Sequence, residues 1–229
     1  MSYYVMGRNS VREVLTNCPE RVAKLLVKSD DTNQQLAELL EQATQLGLPV
    51  KECTKDQLEK LLQSGSHQSI ALELHQSPEH DFKTYKKKLA EASPGLVLAL
   101  DGIEDPHNFG AIIRAAECFQ VTAVLWSSNR GTGLTPTVTK VSSGGTELIP
   151  LVHCKNLRTA LSALKELGYW VAATTISENS QSLYQFEFPE KTALVIGAEH
   201  RGVSQLIADE SDFQIMIPML GKIDSVNVS

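Results

Sequence analysis

The sequence predicts an α/β protein whose C-terminal part is built on a mostly parallel sheet. Apolar strand-like runs and periodic helix-like segments alternate in two blocks, with a polar stretch between them. The strands of the second block are apolar almost throughout, the pattern of a parallel sheet covered by helices on both faces. Helix starts carry capping residues, most clearly at Thr54, Asp105 and Asn156.

The first block runs from Tyr3 to about His75. Asn9 to Leu15 reads as a short helix after a turn at Gly7, and Val22 to Val27 as a strand. A helix capped by Thr32 or Asn33 presents Leu36, Leu39, Leu40 and Ala43 on one face and stops at Gly47. Val50 to Cys53 is a short strand. Thr54 and Gln57 form the signature of a capping box, opening a helix with Leu58, Leu61 and Leu62 inward. Ser69 to Leu74 closes the block as a strand, giving a βαβαβ-like order and a compact α/β sandwich over residues 1–75. Residues 76–94, with His80, Asp81, Lys83 and Lys86 to Lys88, read as a linker holding one or two exposed helical turns. The lysine run is a solvated surface or a phosphate contact.

The second block, residues 95–229, opens with the strand Leu96 to Leu100. Asp105 as cap and Pro106 in the first turn start a helix that buries Phe109, Ile112, Ile113 and Ala116. Ala123 to Trp126 is the next strand. Asn156 caps a helix carrying Leu157, Leu161, Leu164 and Leu167, ended by Gly168. Trp170 to Thr174, Ala193 to Ile196 and Phe213 to Ile217 complete the strands.

The bulk properties narrow the function. No apolar run reaches the roughly 18–20 residues of a membrane helix. The start, Met1 to Val5, lacks a signal peptide's basic and apolar regions, so a cytoplasmic address is expected. Cys18, Cys53, Cys118 and Cys154 are scattered without a Cys-x-x-Cys pair, which suits reduced thiols and neither a zinc site nor a disulfide framework. The net charge of −6 argues mildly against a nucleic-acid partner held by bulk charge, so any RNA must meet local basic patches. No Gly-x-Gly-x-x-Gly follows the first strand of either block, and no phosphate loop ending in Gly-Lys-Ser/Thr occurs, which disfavours a dinucleotide-binding dehydrogenase or an ordinary Rossmann methyltransferase.

Three polar clusters fall at strand ends, where open α/β sheets place ligands. They are Asp105-Pro106-His107-Asn108-Phe109-Gly110-Ala111-Ile112-Ile113-Arg114, then Ile196-Gly197-Ala198-Glu199-His200-Arg201-Gly202, then Ile217-Pro218-Met219-Leu220-Gly221 running on through Ser225-Val226-Asn227-Val228-Ser229. Taken singly, each has a structural reading: a turn residue and a solvent-facing arginine, a carboxylate at a helix start, or helix caps.

In their joint order the clusters resemble the SpoU family of RNA ribose 2′-O-methyltransferases, within the SPOUT superfamily. Asn108 with Arg114 six positions on matches the first motif, Gly197-Ala198-Glu199 with Gly202 the second, and Ile217 to Gly221 with Ser225 to Ser229 the third, Val226 standing for leucine. The first block resembles the ribosomal-protein-like RNA-binding domain that precedes the catalytic domain in the 23S ribosomal RNA guanosine methyltransferases. Gly7, Val11, Glu13 and His67-Gln68 carry that likeness, with Ser69 where the family has glycine.

The resemblance implies a C-terminal parallel sheet with a trefoil knot, a homodimer, and S-adenosylmethionine bound bent among the knot loops. Gly197, Ile217, Gly221, Ser225 and Val226 would hold the cofactor, with glycine at 197 so that backbone can approach the ligand. Family members continue beyond the third motif into an apolar helix that completes the knot and much of the dimer interface, whereas these residues end at Ser229. Asn108, Arg114, Glu199 and Asn227 are the expected catalytic set. A guanidinium holds its proton too tightly to be a ready base. Arg114 is therefore expected to stabilise a developing oxyanion or a phosphate, Asn108 to orient it or the ribose, and Glu199 to fix the arginine or take the proton. Arg8, His107, Arg130 and Arg201 are candidate RNA contacts, with Lys140 and His200 as further ones. The expected substrate is ribosomal RNA, guanosine ahead of other nucleotides. The alternatives are a transfer-RNA ribose methyltransferase, a non-catalytic RNA-binding protein on the same scaffold, and an α/β enzyme acting on a small molecule.

Overall fold

In the computed structural model the strand-forming runs sort into two sheets, one in each of two units. The structure describes residues 3–29, 31, 33–129, 131–221 and 227–228. The first unit comprises Met1–Pro78 together with Leu134–Leu148, and the second Glu79–Gly133 together with Ile149–Ser229.

In the first unit β1 (Tyr3–Met6), α1 (Arg8–Asn17), β2 (Val22–Lys28), α2 (Gln34–Gln45), β3 (Val50–Cys53), α3 (Lys55–Leu62) and β4 (Ile70–Leu74) follow in turn. The strands order as β1-β4-β2-β3; β4 is antiparallel to both neighbours, and β2 and β3 are parallel. Val11, Val14 and Leu15 of α1 and Leu36, Leu39 and Ala43 of α2 share one core with the sheet residues Val5, Leu25, Val27, Ile70 and Leu72. Of the two cap candidates for α2, Asn33 accepts a hydrogen bond from Gln35 N at 3.0 Å, and Thr32 lies outside the described residues. At α3 both bonds of the Thr54–Gln57 capping box form.

The second unit contains β5 (Glu79–Asp81), α4 (Phe82–Glu91), β6 (Gly95–Asp101), α5 (Pro106–Cys118) and β7 (Ala123–Trp126). Next along the chain come α6 (Pro136–Val141) and α7 (Gly145–Leu148), which belong to the first unit. The second unit resumes with β8 (Leu151–His153), α8 (Leu157–Glu166), β9 (Trp170–Thr174), β10 (Gln181–Ser182), β11 (Lys191–Gly197), α9 (Gln205–Glu210) and β12 (Phe213–Met216). The described sheet runs β10-β12-β9-β11-β6-β7-β8-β5, and every pairing is parallel. Alternate residues of β6 face opposite sides. Val97 and Ala99 pack with Leu89 of α4, Leu161 and Leu164 of α8 and Ile207 of α9. The other side is covered by α5, whose Phe109 ring lies 5.7 Å from that of Trp126. The expected parallel, doubly covered sheet is present. The segment needed to trace a trefoil crossing includes residues 222–226, which lie outside the described residues.

Two expectations about organisation need correction. Residues 76–94 are no linker: β5 pairs with β8, Asp81 caps α4 by accepting from Lys83 N at 2.9 Å, and Leu89 is fully buried. The lysines decorate the outer face of α4, while Phe82, Tyr85 and Leu89 at helical spacing pack inward. The 95–229 block is likewise not one unit, because 134–148 packs with the N-terminal sheet. There Ser10 Oγ donates to Thr139 O at 3.1 Å in a buried contact, and Glu147, its side chain 1% exposed, pairs with Arg21.

Candidate active site

Parallel pairing puts the carboxyl ends of β6, β11 and β12 on one edge of the second sheet, and β6 and β11 are direct neighbours, with Asp101 opposite Gly197. The chain leaves β6 toward β7 on one side, while β11 has β9 on its other. That divergence is a topological switch point, the place where open parallel sheets offer a crevice.

The loop after β11 is folded tightly on itself. Gly202, at φ 63°, donates its N–H to Ala198 O at 2.7 Å, and the Asp101 carboxylate accepts from Ser204 N, also at 2.7 Å. A Cβ on Gly197 would stand 2.0 Å from the Gly202 carbonyl carbon and 2.1 Å from Val203 N. Glycine is therefore required here for the approach of the protein's own backbone, a reason that stands beside the expected approach to a ligand.

This loop carries Glu199 to Asn108. The Asn108 side-chain amide, on a residue 7% exposed in the first turn of α5, donates to Glu199 Oε2 at 3.3 Å. The helix start that aims it is fixed by Asp105, which accepts from His107 N at 2.8 Å, and by Pro106 in the first turn. The first two sequence motifs thus meet. Arg114 does not join them within this chain: six residues along α5 it is turned by about 120° and displaced by about 9 Å. It is exposed and makes no hydrogen bond or ion pair among the described residues.

Of the third motif, Ile217 and Gly221 follow β12 on the same sheet edge and are exposed, as is Asn227. Ser225, Val226 and Ser229 lie outside the described residues, and so does Arg130 among the expected RNA contacts. The remaining RNA candidates divide between the units: Arg8 in the first, His107 and Arg201 in the second. His107 and His200 are exposed, and Arg201 pairs with Glu104.

Two residues of the site were not singled out by sequence reasoning. Asp101 reads only as a strand end, and its bond to Ser204 spans 103 positions, beyond any motif spacing. Trp126 reads as core, yet its indole nitrogen is buried without a hydrogen-bond partner among the described residues. It lines a small pocket with Leu100, Ile103, Phe109, Ser127, Gly131 and Thr132, at the carboxyl ends of β6 and β7. An aromatic residue ending an apolar strand beside a Ser-Ser-Asn turn was the available signal.

The exposed apolar side chains after β12 fit the cofactor implied by the resemblance. Ile217 and Leu220, 43% and 98% exposed, supply apolar surface next to a backbone-lined loop, suited to a neutral purine and to recognition through main-chain groups.

Comparison with known proteins agrees with this geometry. The SpoU rRNA Methylase family matches residues 95–229, and the family described as RNA 2′-O ribose methyltransferase substrate binding matches residues 4–80. A Staphylococcus aureus (strain COL) protein assigned to the TrmH family of tRNA/rRNA methyltransferases is 36% identical over 98% of this chain and 90% of its own length. A 23S rRNA (guanosine-2′-O-)-methyltransferase of Coxiella burnetii is 33% identical, also over 98% of this chain and 90% of its own. The SpoU methyltransferase AviRb of Streptomyces viridochromogenes, solved with AdoMet, superposes with a TM-score of 0.76, covering 99% of this chain and 85% of that one at 18% identity. The chain belongs to the SpoU family of S-adenosylmethionine-dependent RNA methyltransferases.

Proposed function

We propose that this protein methylates a ribose 2′-hydroxyl in 23S ribosomal RNA, a guanosine for preference, acting as a cytoplasmic homodimer. The contact between Asn108 and Glu199 carries the reading, because it joins the first and second motifs at the switch point of the sheet. The relation to the Coxiella burnetii protein favours ribosomal RNA and guanosine, and the substrate-binding match over 4–80 favours an RNA partner for the first unit.

S-adenosylmethionine, when bound, supplies an electrophilic methyl group. The chain's own groups position and deprotonate the hydroxyl. Glu199, oriented by Asn108, offers a carboxylate oxygen to the departing proton. Arg114 acts from the partner subunit, where its charge stabilises the developing oxyanion or an adjoining phosphate. Its exposure and lack of a partner among the described residues favour that assignment over an intrachain role. Gly197, Ile217, Gly221, Ser225, Val226 and Asn227 shape the cofactor loops.

The test is transfer of tritium from methyl-labelled S-adenosylmethionine to RNA from a strain lacking the gene, followed by nucleoside mapping. Label in 2′-O-methylguanosine of 23S ribosomal RNA is the expected result. Label confined to transfer RNA would move the substrate, and cofactor binding without labelling of any RNA would leave only an RNA-binding protein.

A further inference from the structure

The first unit gathers cations that make no ion pair among the described residues around one strained turn. His67, 4% exposed, accepts from Ser69 N through Nδ1 at 3.0 Å, and the two residues that follow it sit at left-handed φ values, 53° for Gln68 and 66° for Ser69. Neither is glycine, so the turn is held in a conformation that L side chains disfavour. It directs Gln68 Oε1 to Arg8 N at 3.0 Å, at the start of α1. Gly7 brings no capping side chain, and the Asn9 and Ser10 N–H groups have no protein acceptor among the described residues. Lys140 comes from the other stretch of the unit: its Cγ lies 3.3 Å from where a Gly7 Cβ would stand.

Some cations of this acidic chain are neutralised by carboxylates, as Lys24 is by Glu73 and Lys165 by Asp212. Arg8, Lys28 and Lys140 are half-buried and make no ion pair among the described residues, and Arg8 Nε is withdrawn from solvent without a hydrogen-bond partner. Asp31 is a carboxylate of the cluster. It is hydrogen-bonded by the Ser69 side chain, and the charges of Arg8 and Lys28 help to hold its carboxyl below the usual range. Arg8 and Lys28 act on Asp31, and Lys28 and Lys140 on His67, so cations converge at this turn on a protein of net charge −6.

We infer that Arg8, Lys140 and the free amides opening α1 form a binding site for a phosphodiester of the substrate RNA. The inference rests on the reading of this protein as an RNA methyltransferase and locates where the first unit grips its substrate. The site joins both matched families: Arg8 lies within residues 4–80, and Lys140 within 95–229. Arg8 suits the task because its planar fork pairs two phosphate oxygens at once. Lys28 adds a nearby point charge.

The test uses the whole chain, deproteinised 23S ribosomal RNA and stepped KCl. Arg8→Gln and Lys140→Gln are each expected to weaken RNA binding about threefold to tenfold and to reduce the log–log salt slope by about 1. Calorimetric binding of S-adenosylmethionine should be unchanged, which separates a lost RNA contact from a misfolded chain. Wild-type affinity and slope in both variants would overturn the site while leaving the methyltransferase reading intact. Failure of the wild-type chain to bind or methylate ribosomal RNA would remove both.

Discussion

The Asn108 amide and the Glu199 carboxylate meet at 3.3 Å across 91 positions of sequence, tying the first turn of α5 to the loop after β11. Asn108 is buried and Glu199 exposed, so one carboxylate oxygen is anchored on the protein side while the group as a whole stays open to the sheet edge. A charge-assisted bond of this kind fixes orientation as much as it contributes energy.

Replacing Glu199 by Gln keeps the shape and removes the proposed proton acceptor. Single-turnover methyl transfer is expected to fall by about a hundredfold, within the usual range for a general base. Asn108→Ala, which leaves the carboxylate in place but frees it to rotate, is expected to cost about tenfold. Both should change the dissociation constant for S-adenosylmethionine less than about threefold, since uniform binding is not what they touch. The double variant should be little worse than Glu199→Gln, as expected of groups acting as one unit. A Glu199→Gln enzyme with near-normal turnover would remove that carboxylate from the proton path.

The helices and strands were legible where a single stretch carries its own pattern. The Thr54–Gln57 box, the Asp105-Pro106 start and the apolar strands β6 and β11 formed as their residues dictate. What the sequence hid was pairing at long range. Residues 76–94 look like a charged linker because the lysines outnumber the inward stripe of Phe82, Tyr85 and Leu89, and only the partner strand β8 makes β5 a strand. The helices α6 and α7 are short and polar, and their attachment to the first unit depends on contacts such as Ser10 with Thr139. At the site, the motifs identified Asn108 and Glu199 but not that Arg114 stands apart, although six positions on a helix cannot share one face. Ser69, noted as a departure from the family's glycine, proves to sit at positive φ, which is the physical reason for a glycine there.

Arg21 and Glu147 provide a pH-dependent element of stability. Burial raises the Glu147 carboxyl above its ordinary value of 4.5, even though the Arg21 charge beside it acts the other way. The native state therefore holds this proton more tightly than the unfolded chain does. Its contribution to stability is greatest below the unfolded value and is lost as pH rises through the folded one. Glu147→Gln should accordingly gain on the wild type as pH rises above about 4.5 and then run parallel to it. Arg21→Met should cost about 3–5 kcal/mol at neutral pH, where it strands a buried carboxylate. It should cost distinctly less near pH 5, where more of that carboxyl is protonated. Urea unfolding across pH 4 to 8 checks both slopes, and a pH-independent penalty for Arg21→Met would contradict the assignment.

At Gly197 the obstacle to a side chain is backbone, which cannot swing aside. A Cβ there would overlap Gly202 and Val203 at about 2 Å, so Gly197→Ala must open the loop that carries Glu199. A loss of about 3 kcal/mol or more is expected, with cofactor binding lost alongside. Gly133→Ala is the contrast, because no atom lies within 4 Å of its Cβ position. It should stay within about 0.5 kcal/mol of wild type. Thermal unfolding of the two variants side by side decides this, and equal melting temperatures would show that the loop is not closed as described.

Glu104 restrains one of the expected RNA contacts of the second unit, Arg201. It pairs with Arg201 across two exposed side chains, so the bond itself adds little stability but competes with any phosphate for the guanidinium. Glu104→Gln should therefore tighten RNA binding about twofold to threefold and steepen the log–log salt slope by up to about 1, as one more cation becomes available. Arg201→Gln should do the reverse. The combination is the discriminating measurement. If Glu104 acts by occupying Arg201, its neutralisation changes nothing further in the Arg201→Gln background. If it acts only through its negative field at the sheet edge, the gain in affinity persists there undiminished, and Arg201 is then not an RNA contact.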